Sequence, residues 1–399
     1  MTYLRHIERA SMRIGLCLTG LLLLSACSAP TGGGAADTAL RPIEPERSLA
    51  TSAQDCNPGY ACADPIPVKM VIVTMFEIGA DEGDRPGEFQ LWKERLELDT
   101  RFAFPHGHHD LYFNPSRGIL GMVTGVGTLH SASGVMALGL DQRFDLSQAY
   151  WLIAGIAGID PEDASLGSAV WSAYLVDGDL AHEIDPREMP AQWEDGYLPR
   201  RTRTPYEQPR PEARGELLVT NQGLRDWAYE LTRRTPLPDN PQLAAARSAY
   251  TEHPNAQRPP FVTTGGHIAA MTFWHGALLN DWANRWVHYW SDGATDFVTS
   301  AMEDTGTFQA LTYLHNTGRV DKHRALVLRA GSNYTMPPPG VTAAENLLAE
   351  NQGYSGMTAS LEALYAVGSV VVDEITGNWT LFADQVPGRV KGHQEPEHR

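Results

Sequence analysis

The chain has 399 residues, 42% hydrophobic, 20% charged and 9% aromatic, which is enough to bury a large core and excludes a disordered chain. Its formal net charge of −17 argues against the basic patches that nucleic-acid binding needs, so no nucleic-acid partner is expected. No run of about 18 apolar residues occurs, which excludes a membrane-spanning pore or multi-span transporter.

The N-terminus reads as an export leader. Arg5, Arg9 and Arg13 form a basic start, 14–24 is a short apolar run, and Leu24-Ser25-Ala26-Cys27 resembles a bacterial lipobox. On this reading 1–26 is a lipoprotein signal peptide, Cys27 is lipidated and 27–64 is a tether. The protein is then expected in the bacterial cell envelope, facing the periplasm, touching membrane only through its lipid anchor. Of the four cysteines, Cys56 and Cys62 remain for the mature domain. An oxidising compartment would suit a disulfide there, and the sequence leaves that pairing open.

A folded domain is expected over 65–387, with 388–399 as a flexible tail. The β-branched run 68–75 predicts a strand buried on both faces, and 118–126 and 150–156 read the same way. Further short strands are predicted at 260–264, 297–301 and 325–330, with helices at 131–140, 277–286, 305–315 and 343–348. This alternation predicts an α/β fold with a mixed central sheet flanked by helices. The charged, Pro-rich stretch 181–260 breaks the rhythm and reads as an insertion of surface loops around one helix at 221–234.

Ligands of open α/β sheets sit beyond the carboxyl ends of strands, which directs attention to four loops. These are Gly125-Val126-Gly127-Thr128, Ala154-Gly155-Ile156-Ala157-Gly158, Met302-Glu303-Asp304-Thr305-Gly306 and Arg329-Ala330-Gly331-Ser332-Asn333. Asp304 and Thr305 taken alone would read as helix caps. His106, His108 and His109 lack metal-ligand spacing and read as a surface loop, so no metal site is expected. The spacing of Trp282, Trp286 and Trp290 after Trp274 reads as a core stripe. No Gly-x-Ser-x-Gly elbow, Walker loop or dinucleotide fingerprint is present, and no cofactor is expected.

As an ordered set, these loops resemble the nucleoside phosphorylase and nucleosidase superfamily. Met75-Phe76, Gly87-Glu88-Phe89, Phe273-Trp274-His275-Gly276 and Met302-Glu303-Asp304-Thr305-Gly306 resemble more closely the purine nucleoside permease family. The resemblance covers roughly 65–387 and implies a nucleoside phosphorylase-like fold and a purine nucleoside as partner. It implies that Glu303 holds the ribose hydroxyls with Met302 lining the sugar, and that Phe273 or Trp274 stacks on the base. It implies Asn333 at purine N7, Glu88 as general base for water, and Gly127 and Thr128 facing the nucleophile. Ala157, Gly158, His275, Arg329 and Ser332 are further candidate contacts.

Nucleosidases of the superfamily carry Asp where this chain has Asn333, and an amide cannot deliver a proton, so 6-oxopurine nucleosides are expected to be preferred. Phosphorolysis needs an Arg clamp, for which Arg85, Arg117 and Arg329 are candidates, with phosphate as co-substrate. Glu88 instead suits hydrolysis. The alternatives are a phosphate-dependent phosphorylase, a non-catalytic nucleoside-binding component of transport, and a structural lipoprotein. Whether the chain is an enzyme is left open, and a homo-oligomer is possible.

Overall fold

The computed structural model describes residues 64–350 and 353–388. The leader, Cys27, Cys56, Cys62 and almost all of the expected tether and tail lie outside the described residues.

The β-branched run produces β1 (Met70–Thr74), buried at every position. Alternation along the strand sends Met70 and Ile72 into one core layer and Val71 and Val73 into the other. Its neighbours are β4 (Ile119–Val123) and β5 (Tyr150–Ile159), both parallel to it. A hairpin of β2 (Thr100–Phe102) and β3 (Leu111–Asn114) extends the sheet beyond β4.

The remaining strands lie on the far side of β5. They are β6 (Ala169–Ser172), β7 (Tyr174–Asp177), β8 (Leu217–Val219), β9 (Val262–Thr264), β10 (Gly266–Ala269), β11 (Phe297–Ala301) and β12 (Ala325–Tyr334). Among the described residues these form one twelve-stranded mixed sheet, with main path β8-β7-β10-β11-β5-β1-β4-β3-β2. Off that path β12 pairs with β5 in parallel and with β6 antiparallel, and β6 pairs with β9. β5 is thus shared. Its first half lies between β1 and β12, and its last residues pair with β11.

Helices cover both faces, as the sequence pattern predicts. α2 (Thr128–Leu140) and α6 (Asp304–Asn316) bury Val135, Leu138, Phe308, Leu311 and Leu314 against Val71 and Val73. α1 (Gln90–Arg95), α3 (Gln222–Thr232) and α8 (Met357–Gly377) cover the opposite face. α5 (Ala277–Ser291) carries Trp282, Trp286 and Trp290 as a fully buried core stripe. The eight-residue α7 (Ala343–Glu350) buries nothing.

Two features depart from expectation. The 181–260 stretch holds the expected helix, plus α4 (Pro241–Ser248), but it is more than surface loops. β8 hydrogen-bonds to β7 at the sheet edge, and Leu224 and Ala228 of α3 lie in the core. Trp171 Nε1 ties β6 to α3 by donating to Thr232 Oγ1 at 2.9 Å.

The other departure is α8, 21 residues long and absent from the predicted elements. Its Val370-Val371-Val372 run and its small residues carry strand-like and loop-like propensities that packing overrides. At Gly368 an added Cβ would lie 2.6 Å from Trp92 Cη2, so the helix seats closely over α1. Leu364, 1% exposed, is central to this layer. Leu364→Ala is expected to destabilise the protein by about 2–5 kcal/mol, read as a lower urea midpoint at unchanged slope.

Candidate active site

The ladder between β1 and β5 ends at Val73 and Ile153, while β5 continues to Ile159. Glu88, just before α1, fills the divergence. Met75 N donates to its Oε2 at 2.9 Å and Ile156 N donates to its Oε1 at 2.7 Å. One carboxylate thereby bridges the two strands where their own pairing stops. Burial pushes the Glu88 carboxyl up to about 8; Arg329 opposes that rise, Glu303 adds to it, and the two N–H donors oppose it. Gly155 is required here, because a Cβ would collide with Arg329 Nη1 and lie 2.8 Å from Glu88 Oε1.

Arg329, on β12 and 1% exposed, is the cation of the cluster. It donates through Nε to Asp304 Oδ1 at 3.2 Å, through Nη2 to Asp304 Oδ2 at 2.7 Å and to Glu303 Oε2 at 3.1 Å, and through Nη1 to Ile156 O at 3.1 Å. The buried His267 on β10 reaches Asp304 Oδ2 at 2.8 Å and Thr299 Oγ1 at 2.9 Å. Burial alone would raise the Asp304 carboxyl, but Arg329 and His267 outweigh it and hold it well below the usual range. The cap reading of Asp304 is corrected accordingly. α6 has no side-chain cap, and the carboxylate turns inward to the guanidinium because that cation needs a partner out of water.

The second glycine loop closes on this cluster. Gly127 N, at φ 95°, donates to Glu303 Oε1 at 2.9 Å, placing that carboxylate at the positive end of α2. Thr128 Oγ1 donates to Met302 O at 2.8 Å, and Ser131 Oγ donates to Glu303 O at 2.9 Å. Close approach is required, since a Cβ on Gly306 would lie 2.5 Å from Thr128 O.

Beside the cluster is a narrow cleft, lined by Gly158, Phe273, Trp274, Met302 and Asn333 among others. Asn333 faces it because the β12–β5 register slips at Ser332, a bulge that re-aims the following side chain. Ser332 Oγ lies 3.0 Å from Asn333 Oδ1 and 3.3 Å from Ala157 O, so those two residues support the wall from behind. Phe273 is 43% exposed and stacks on Tyr354, with planes 10° apart and centroids at 6.3 Å. Trp274 meets Trp282 edge-on, while His275 is half-buried and its imidazole is lowered by burial.

The structure thus gathers Glu88, Gly127, Thr128, Met302, Glu303 and Arg329 at one cluster, with Gly158, Phe273, Trp274 and Asn333 at the adjoining cleft. Arg329 as a phosphate clamp is corrected, because its donors are engaged by Glu303, Asp304 and Ile156. Arg117 pairs with Asp373 on α8 instead. His109 pairs with Asp81 at 2.6 Å, and His108 and His130 stand nearby with ring centroids 6.1 Å apart. Sequence reasoning missed His267. A histidine in a strand of small residues, Gly265-Gly266-His267, was the available signal.

Residues 67–387 match the family described as Purine nucleoside permease (NUP). The chain belongs to this family. It is 31% identical over 322 residues to a protein of Schizosaccharomyces pombe named as a probable purine nucleoside permease, covering 79% of this chain and 90% of that one. It is 28% identical over 318 residues to a purine nucleoside permease of Candida albicans, covering 78% and 75%. Among solved structures, a 5′-methylthioadenosine nucleosidase of Helicobacter pylori aligns at TM-score 0.46 and 15% identity, over 77% of this chain and 99% of that one. Futalosine hydrolase of the same organism aligns at TM-score 0.46 and 15% identity, over 77% and 98%.

These relatives correct one expectation. The two relatives named as permeases are fungal, which overturns the placement as a bacterial, lipid-anchored protein facing the periplasm. That placement rested on a local pattern in 1–27, and arginines before a short apolar run and a cysteine do not record the cell that made them.

The Glu88 carboxyl gives this member of the family a testable pH signature. The folded protein keeps a proton up to about 8, whereas the unfolded chain releases it near 4.5. The resulting stability is full below that lower value and declines as pH rises through the folded one. Glu88→Gln is expected to abolish this component of the decline in thermal midpoint between about pH 5 and about pH 8.5, whatever constant cost the lost acceptor adds. Asp304→Asn is expected to destabilise by about 3–5 kcal/mol in chemical denaturation, because it strips the buried Arg329 of its main partner.

Proposed function

We propose that this chain binds purine nucleosides and hydrolyses their N-glycosidic bond, preferring 6-oxopurines such as inosine and guanosine. One observation carries the reading. Glu88 is a buried carboxyl pinned by two backbone N–H groups and titrating near 8, in one enclosed cluster with Glu303 beside the Asn333 cleft. Once ionised, as pH approaches that value, it is a stronger base than an ordinary carboxylate for taking a proton from water.

In the proposed reaction the base lies between Phe273 and the Asn333 wall, with the ribose over Met302. Glu303 accepts from the ribose hydroxyls and stabilises positive charge developing on the sugar. The Gly127–Thr128 loop faces the attacking water, whose oxygen joins C1′ as its proton passes to Glu88. Asn333 donates through Nδ2 toward N7 or the 6-oxo oxygen. Engagement of the Arg329 guanidinium by carboxylates supports water over phosphate as the nucleophile. No cofactor enters the scheme.

The relatives' permease names support a second reading, in which the site binds nucleosides for uptake without cleaving them. Among the described residues no helix is long and apolar enough to cross a membrane, so this role would be nucleoside capture.

Incubating the full chain with inosine decides between these readings. Hypoxanthine and free ribose are expected with or without phosphate, and adenosine is expected to react at least about 10-fold less efficiently. Glu88→Gln is expected to lower kcat by about 10²–10⁴-fold. Turnover only with phosphate, yielding ribose 1-phosphate, would replace hydrolysis by phosphorolysis. Tight binding with no base released would establish capture.

A further inference from the structure

Cleaving the C1′–N9 bond sends an electron pair into the purine, which departs readily only when N7 takes up a proton. Asn333 stands at the base wall and an amide has no such proton to give. An acid stands beside it. Glu350, the last residue of α7, places Oε2 3.4 Å from Asn333 Nδ2, and its Oε1 accepts from Asn346 Nδ2 at 2.8 Å. Around it stand the amides of Asn333 and Asn346 and the phenols of Tyr250 and Tyr354.

The setting favours the neutral acid. Burial pushes the Glu350 carboxyl up to about 7, against the two amide donors. Its place at the C-terminus of α7 opposes a negative charge further. Tyr354, one of these phenols, stacks on Phe273, which lines the cleft. α7 itself buries nothing, and its Glu350 end is tied to Asn333.

We propose that Glu350 is the general acid that protonates the departing purine at N7, with Asn333 holding the base against it. This rests on the cleavage reading above. The Glu350 O–H proton passes to N7 as the C1′–N9 pair enters the ring, water oxygen bonds to C1′, and the water proton passes to Glu88. Glu350 ends ionised and Glu88 protonated, and exchange with solvent regenerates the form with Glu350 protonated and Glu88 ionised, a minority form because Glu88 binds its proton more tightly.

The test compares inosine with 4-nitrophenyl β-D-riboside, whose nitrophenolate departs without protonation. Glu350→Gln in the full chain is expected to lower inosine kcat/KM by about 10²-fold or more while changing nitrophenyl riboside hydrolysis by less than roughly 3-fold. Glu350→Asp, which keeps a carboxyl, should retain more inosine activity than Glu350→Gln. Glu88→Gln should impair both substrates. An equal loss on both substrates in Glu350→Gln would show a structural role and overturn the proposal, as would no loss on inosine. A parent chain inert toward both substrates would defeat the cleavage reading itself and the acid role with it.

Discussion

Glu88, Glu303 and Asp304 converge on the guanidinium of Arg329, and a single buried cation cannot keep three buried carboxylates ionised. The outcome is unequal. Asp304 receives two bonds from Arg329 and one contact from His267, and it stays firmly charged. Glu88 has only backbone donors within hydrogen-bonding distance and feels Arg329 at longer range, so it keeps its proton to about 8. The same constraint separates roles: the carboxylate locked to arginine holds the site together, and the one left over can exchange a proton.

Sheet geometry makes that arrangement possible. Glu88 can enter because β1 stops while β5 continues, and the N–H groups of Met75 and Ile156 receive it at the split. Arg329 can enter because residue 155 has no side chain, and Asn333 turns to the cleft because β12 carries one extra residue at Ser332. Each functional side chain is thus placed by an irregularity in an otherwise regular ladder. The ladder itself, with both faces of β1 covered by helices, supplies the rigidity that keeps such buried polar groups in place.

Much of this was legible in the sequence where local pattern and tertiary role coincide. The strands β1, β4 and β5 announce themselves by unbroken apolar character; of the four expected loops, 125–128 and 302–306 follow the ends of β4 and β11, while 154–158 and 329–333 lie within β5 and β12, which run longer than the pattern predicts. Other parts were not legible, for identifiable reasons. α8 is apolar on several faces and contains three consecutive valines, so periodicity does not separate it from a strand. Asp304 occupies a capping position, and only the fold reveals that Arg329, 25 residues away, lies within its reach. Glu350 lies two residues beyond the helix predicted for 343–348, and its bond to Asn333 spans 17 positions. The N-terminal leader shows the opposite failure, where a legible local pattern supported a cellular placement that the fungal relatives overturn.

The charge of the cluster also bears on what it can accept. In low dielectric, a surplus of negative charge acts strongly on anything brought near it. A phosphate dianion would meet carboxylates with the one buried guanidinium already engaged. A neutral nucleoside meets no such barrier, and in the proposed reaction a sugar gaining positive charge as its base departs would be drawn toward Glu303. The features that make this site inhospitable to a phosphate co-substrate are therefore the ones that favour an oxocarbenium-like sugar, and water, being neutral, can approach Glu88 without opposing either effect.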